Sequence, residues 1–176
     1  MKTANILLKR LIVPLCALGL VLLVWGCKVS YTFSGASIDP KIQTVSVSYF
    51  PNMAAMVSTI LSPTLTDALT TKLSRETRLQ VVREEGDISF EGEITDYRSS
   101  PMSISGDEYA VQNRLTIVVK VRFTNNVQPE YSFDRTFTAY EDYDTNRLLT
   151  TIEGEIIPQI VEKLVDDIFN AALSNW

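Results

Sequence analysis

Asp142, Asp144 and Asn146 stand at alternate positions, and Glu153 falls twelfth when Asp142 is counted first. That is the oxygen-ligand spacing of a calcium loop. The sixth position is Arg147, where the sharp turn wants glycine, and a strand-like stretch precedes the run where a helix would be needed. The segment therefore reads as a solvated loop entering the last helix, and no metal ligands are assigned. Glu84, Glu85 and Asp87 crowd around Gly86 and read as a hairpin tip. Lys120 and Arg122 are two apart in a strand-like stretch and so point the same way, with Arg114 and Arg98 flanking the region. Two readings stay open for them. They could hold a phosphate or carboxylate of a ligand, Arg offering a two-pronged fork, or they could pair across strands with Glu91 and Glu93. The sequence has no histidine. This removes Ser-His-Asp and Cys-His catalysis and the commonest transition-metal ligand. With no Gly-rich phosphate loop, nucleophile elbow or paired-Cys motif either, no catalytic residue is assigned and the protein is expected not to be an enzyme.

The remaining reactive residue is Cys27. Lys2, Lys9 and Arg10 give a positive start, Leu11 to Trp25 carry no charge, and the run ends Val24-Trp25-Gly26-Cys27. A basic start, an apolar block of this length and a small residue form a secretory signal, too short for a comfortable membrane span and weakened by Pro14. With Val24 three before the cysteine and Gly26 directly before it, the segment resembles a bacterial lipoprotein signal. That implies cleavage between Gly26 and Cys27 and acylation of Cys27, a covalent lipid being the only added group expected. Several acyl chains make a permanent tether at about 0.8 kcal/mol per buried methylene. The alternative is an uncleaved signal anchor with Cys27 an incidental thiol.

Residues 1–26 are thus read as the signal, 27–41 as a lipidated tether and 42–176 as a single domain. Processing leaves 150 residues with 13 Lys and Arg against 21 Asp and Glu. An acidic domain without a basic run is a poor fit to nucleic acid, and Cys27 is its only cysteine, so no internal disulfide can form.

Positioning elements follow from periodicity. Gln43 to Phe50 alternates as a strand ended by Pro51-Asn52. Leu65, Ala68, Leu69 and Leu73 are spaced as one helix face, starting at Ser62-Pro63 or nearer Ser58 and ending near Arg75. Leu79 to Arg83 and Ile88 to Thr95 read as strands joined by the 84–87 hairpin, and Arg98 to Asp107 as a connection. Arg114 to Thr124 is the clearest strand, with Leu115, Ile117, Val119, Val121 and Phe123 inward. Tyr131 to Phe137 alternates as another. Ile157, Ile160, Val161, Leu164, Ile168 and Ala172 form the stripe of a final helix that Pro158 starts or kinks. The expected fold is α+β: a two-layer sandwich of two helices on a mostly antiparallel four- to five-stranded sheet.

Tyr31-Thr-Phe-Ser-Gly35, Tyr49-Phe-Pro-Asn52, Phe90-Glu-Gly-Glu-Ile-Thr-Asp-Tyr97, Gln112-Asn-Arg-Leu-Thr-Ile117 and Leu164-Val-Asp-Asp-Ile-Phe169 together resemble the LptE family, in the version found in Bacteroidota-type bacteria. The likeness runs over nearly all of the chain after Cys27. It implies a lipoprotein at the outer membrane, on its periplasmic side, that plugs or assembles an LptD-like β-barrel in lipopolysaccharide transport. It also implies contact with lipopolysaccharide through basic groups, for which Lys120, Arg122 and Arg114 are the candidates. A second reading is a free-standing lipoprotein that binds a small or lipidic ligand between sheet and helices.

Overall fold

The computed structural model describes residues 38–102 and 112–173. Gly26 and Cys27, with the whole of the expected signal and most of the expected tether, lie outside the described residues. The elements, in chain order, are β1 (Thr44–Val47), α1 (Leu61–Glu76), β2 (Gln80–Val82), β3 (Ile88–Pro101), β4 (Gln112–Asn125), β5 (Phe133–Asp144) and α2 (Leu149–Leu173). A single 3₁₀ turn, Pro129–Tyr131, separates β4 from β5.

The five strands form one sheet in the order β2-β1-β3-β4-β5. β3, β4 and β5 are antiparallel neighbours, whereas β1 runs parallel to both β2 and β3. The sheet is therefore mixed, and the expectation of a mostly antiparallel sheet is corrected. The reason is topological. α1 is the crossover between β1 and β2, and a helical crossover returns the chain in the same direction. The expected hairpin at 84–87 fails for a related reason. β2 and β3 flank β1 on opposite sides, so the segment between them crosses β1 instead of turning back on itself.

That crossing is tight. A Cβ on Gly86 would stand 2.7 Å from Ser46 N and 2.6 Å from Ile88 O, so only glycine lets the chain pass this close. Glu85, just before it, takes a left-handed φ of 54°. Asp87 then closes the crossing. Its Oδ2 accepts hydrogen bonds from Gln43 N, Thr44 N and Thr44 Oγ1, each 2.9 Å long, and its own N–H donates to Thr44 Oγ1 at 2.8 Å.

Beyond Val47 the chain stays beside β3 irregularly, with Ser48 N donating to Phe90 O and Ile94 N to Pro51 O. This path turns Phe50 inward, where it is fully buried. Its ring occupies the space beside Gly92, whose missing Cβ would collide with both Phe50 Cε1 and the Lys120 carbonyl oxygen. A register shift between Ile94 and Asp96 changes which parity of β3 faces the core, so Ile88, Phe90 and Ile94 give way to Tyr97.

Both helices lie on this one sheet face. α1 buries Leu61, Leu65, Leu69 and Leu73, and α2 buries a stripe from Ile152 to Leu173 against Leu115, Ile117, Val119 and Val121 of β4. Pro63 sits in the first turn of α1, where a missing N–H costs nothing. Pro158 is inside α2, not at its start. It lacks the N–H that would bond the Gly154 carbonyl, yet burial of Ile152, Ile156 and Ile157 carries the helix through the break.

The three described glycines separate in their response to alanine. Gly86→Ala and Gly92→Ala should each destabilise the fold by about 1–3 kcal/mol through overpacking against backbone. Gly154 is exposed on α2 and a Cβ there meets nothing within 4 Å, so Gly154→Ala should stabilise by up to about 1 kcal/mol. Urea midpoints of the three variants check both signs.

Candidate functional site

Among the described residues, nothing covers the face of the sheet opposite the helices. Its side chains are the even-numbered residues of β4 and β5 and the polar residues of β3, all set by the cross-strand register. Lys120 and Arg122 lie on this face as expected. Glu93 stands opposite Lys120 and Glu91 opposite Arg122 on β3, while Thr136 and Asp134 oppose them on β5. The nearest carboxylate is the one on β5: Asp134 Oδ2 is 3.6 Å from both Lys120 Nζ and an Arg122 nitrogen. At that separation these are ion pairs without tight hydrogen bonds, and all three side chains are 42–62 % exposed. They border a groove of about 400 Å³ that Tyr49, Pro51, Glu91 and Glu93 complete. The groove thus mixes two cations with three carboxylates.

Arg114 does not join them. It is six residues up the same strand, about 20 Å away along it, and it is fully engaged. Nε and Nη2 donate to Asp142 Oδ1 and Oδ2 at 2.7 and 2.9 Å, and the guanidinium stacks 3.7 Å over the Tyr140 ring. Arg98 pairs with Asp96 on its own strand. The uncovered face is therefore a field of interleaved, mostly paired charges with Thr116, Thr136, Thr138 and Tyr140 between them.

The acidic run is equally accounted for. Asp142 and Asp144 end β5, where a loop was expected; Asp142 holds Arg114, and Asp144 Oδ1 accepts from Asn146 N at 2.8 Å. Glu153 lies in α2 and faces the sheet. Among the described residues no cluster of three or more metal-ligating side chains occurs.

Glu153 has a role that sequence reading missed. Its Oε1 accepts from Tyr97 Oη at 2.7 Å and its Oε2 from Ser58 Oγ at 3.1 Å. Tyr97 is 1 % exposed; burial and then the adjacent Glu153 carboxylate push its phenol pKa up, so it remains a donor. One carboxylate thereby ties β3, α2 and the segment between β1 and α1 together. Ser99 Oγ and Tyr143 Oη share a second hydrogen bond of 2.7 Å at the same end. The segment held by Ser58 exposes Met53, Met56, Val57 and Ile60. The available signal was the absence of any charge from Pro51 to Thr66.

Two helices on one face of a mixed five-stranded sheet, with a polar opposite face, define a small α+β domain. A family model for LptE, described as lipopolysaccharide-assembly, matches residues 42–172. The chain belongs to that family. Solved structures share the fold. A minor lipoprotein from Acinetobacter baumannii superposes with a TM-score of 0.50 at 15% identity, over 74% of this chain and 91% of that one. A hypothetical protein from Chlamydia trachomatis gives 0.52 at 8% identity, over 76% and 99%, and a protein from Xanthomonas campestris 0.53 at 10% identity, over 76% and 84%. No curated protein matches the sequence.

Two predictions follow from these contacts. Glu153→Ala leaves the buried Tyr97 hydroxyl without its acceptor, which should cost about 1–3 kcal/mol and should open the 53–60 segment to proteolysis; melting curves and limited digestion measure both. The second concerns acid. Hydrogen bonds from Gln43 N and then Thr44 hold the Asp87 carboxyl below its ordinary pKa, and Arg114 does the same for Asp142. Their contribution is complete above the unfolded value of about 4 and is lost as pH falls through the lower folded values. The melting temperature should therefore drop below pH 4, and Asp87→Asn should flatten that drop.

Proposed function

We propose that this chain is a non-enzymatic outer-membrane lipoprotein that seats in or against an LptD-like β-barrel during lipopolysaccharide transport. The observation that carries this reading is the family match over residues 42–172. The uncovered sheet face supports it, because its threonines, tyrosine and mixed charges suit the polar, wet interior of a large barrel. In this reading the signal is cleaved after Gly26, Cys27 is acylated, and the domain hangs on the periplasmic side of the outer membrane. Lys120 and Arg122 are the basic groups placed to meet a lipopolysaccharide phosphate, Asp134 yielding to the stronger anion. Arg114 is better suited to holding β4 and β5 together, given its bidentate bond to Asp142.

A detergent pull-down of the tagged, full-length protein from its own membranes tests the central claim, with partners identified by mass spectrometry. A stoichiometric large β-barrel is the expected result; recovery of the acylated protein alone overturns it. For the ligand contact, Lys120→Gln combined with Arg122→Gln should weaken lipopolysaccharide binding about tenfold, from two exposed charge contacts of roughly 0.5–1 kcal/mol each. The fold should be unaffected, since both side chains are exposed.

A further inference from the structure

One end of the domain differs chemically from the sheet face. From Pro51 to Thr66 the chain carries no charged residue, and within that stretch Met53 and Val57 are 65% and 68% exposed. Leu148, at the start of α2, is 72% exposed, and the Ser58–Glu153 bond brings that start of the helix beside the segment. Two of the three methionines of the described residues, Met53 and Met56, lie in this segment. Methionine is the flexible, polarisable side chain that adaptable binding surfaces favour. An exposed apolar cluster of this kind marks an interaction site.

The segment is nonetheless held in place. Met53 N donates to Ile94 O, Ala54 N to Asn52 Oδ1, and Ser58 Oγ to Glu153. Side chains presented on a fixed path lose less freedom when they bind.

The charges around this end select the occupant. A lipid surface with anionic headgroups is recognised by unpaired Lys and Arg beside the apolar residues. Here Arg98 pairs with Asp96, Arg114 with Asp142, Arg147 with Glu155 and Lys163 with Glu141. Each of these described cations thus has a carboxylate partner, which favours a neutral surface over an anionic one. The chain before β1 also joins the domain at the opposite end, beside Asp87, about 30 Å along β3 from Tyr97.

We propose that this end, centred on Met53, Met56, Val57 and Leu148, docks on an uncharged apolar surface of the β-barrel partner and supplies the main grip of the complex. This rests on the barrel reading given above and adds which part of the domain holds the barrel. The polar sheet face then sets orientation.

The test uses the full-length tagged protein in its own membranes. A photo-reactive benzoylphenylalanine is placed at Val57, and for comparison at Val81, which is exposed on β2 at the other end of the sheet. Val57→Glu and Met53→Glu are assayed alongside for barrel recovery, with melting curves confirming the fold. The expected result is a barrel adduct from position 57 and not from 81, and about a tenfold loss of barrel recovery in the Glu variants at unchanged melting temperature. If wild type recovers the barrel but position 57 yields no adduct or only lipid adducts, or the Glu variants recover it fully, the docking end is wrong while the barrel reading stands. If wild type recovers no barrel, the barrel reading fails and this proposal falls with it.

Discussion

The crossing between β2 and β3 is the constraint on which the rest of the domain depends. Five residues must carry the chain from one side of β1 to the other, and they do so by pressing Gly86 against the β1 backbone. Asp87 locks the arrangement by gathering three donors from Gln43 and Thr44. Once Asp87 is bonded there, Ile88 falls beside Val45 and the parallel register of β1 and β3 is set. That register decides where Phe50 meets Gly92, and hence where the chain leaves the sheet as the uncharged segment before α1. A local carboxylate clamp at one end of the sheet thus places an apolar surface at the other.

Covering only one face of the sheet follows from the same chain path. α1 must cross from β1 to β2 on one side, and α2 returns to pack beside it over β4. The apolar stripes of both helices are satisfied by that face alone. The opposite face stays polar, and its register interleaves carboxylates with cations. On the edge strand β5, Arg135 projects on the core-side parity but is exposed, its guanidinium 4.9 Å from the Phe133 ring. An inward-side charge of this kind blunts an edge that would otherwise pair with another chain. Lys163 serves the upper half of the same edge by donating to Tyr140 O.

What the sequence disclosed and what it hid divide along the range of the interactions. β4 was legible because its alternation runs unbroken on the buried side. The inward set Ile88, Phe90 and Ile94 was legible too, but Tyr97 was not, because a register shift near Thr95 changes parity without leaving a sequence mark. β5 was read too short because Asp142 and Asp144 look like loop residues until Arg114 is known to sit opposite. α2 was read as starting late because Gly154 and Pro158 both oppose helix locally, and only burial of Ile152, Ile156 and Ile157 reverses that balance. The mixed sheet was hidden for the most basic reason. Whether β2 pairs with β3 or crosses β1 depends on contacts more than forty residues apart, among them Asp87 with Thr44.

The sites show the same division. Lys120 and Arg122 were placed together correctly by period-two geometry, but their partner Asp134 comes from β5 and not from the carboxylates of β3. This matters for how the two surfaces would share work in a complex. A face of mutually paired, exposed charges contributes little affinity, since each pair is worth at most about 1 kcal/mol and is screened by salt. It does penalise misaligned partners, because a wrong register leaves like charges opposed. Affinity has to come from apolar side chains that lose water completely on contact. In this domain such residues are gathered at the end that Glu153 braces, away from the charged face, so in the proposed complex orientation and grip would come from different parts of one small fold.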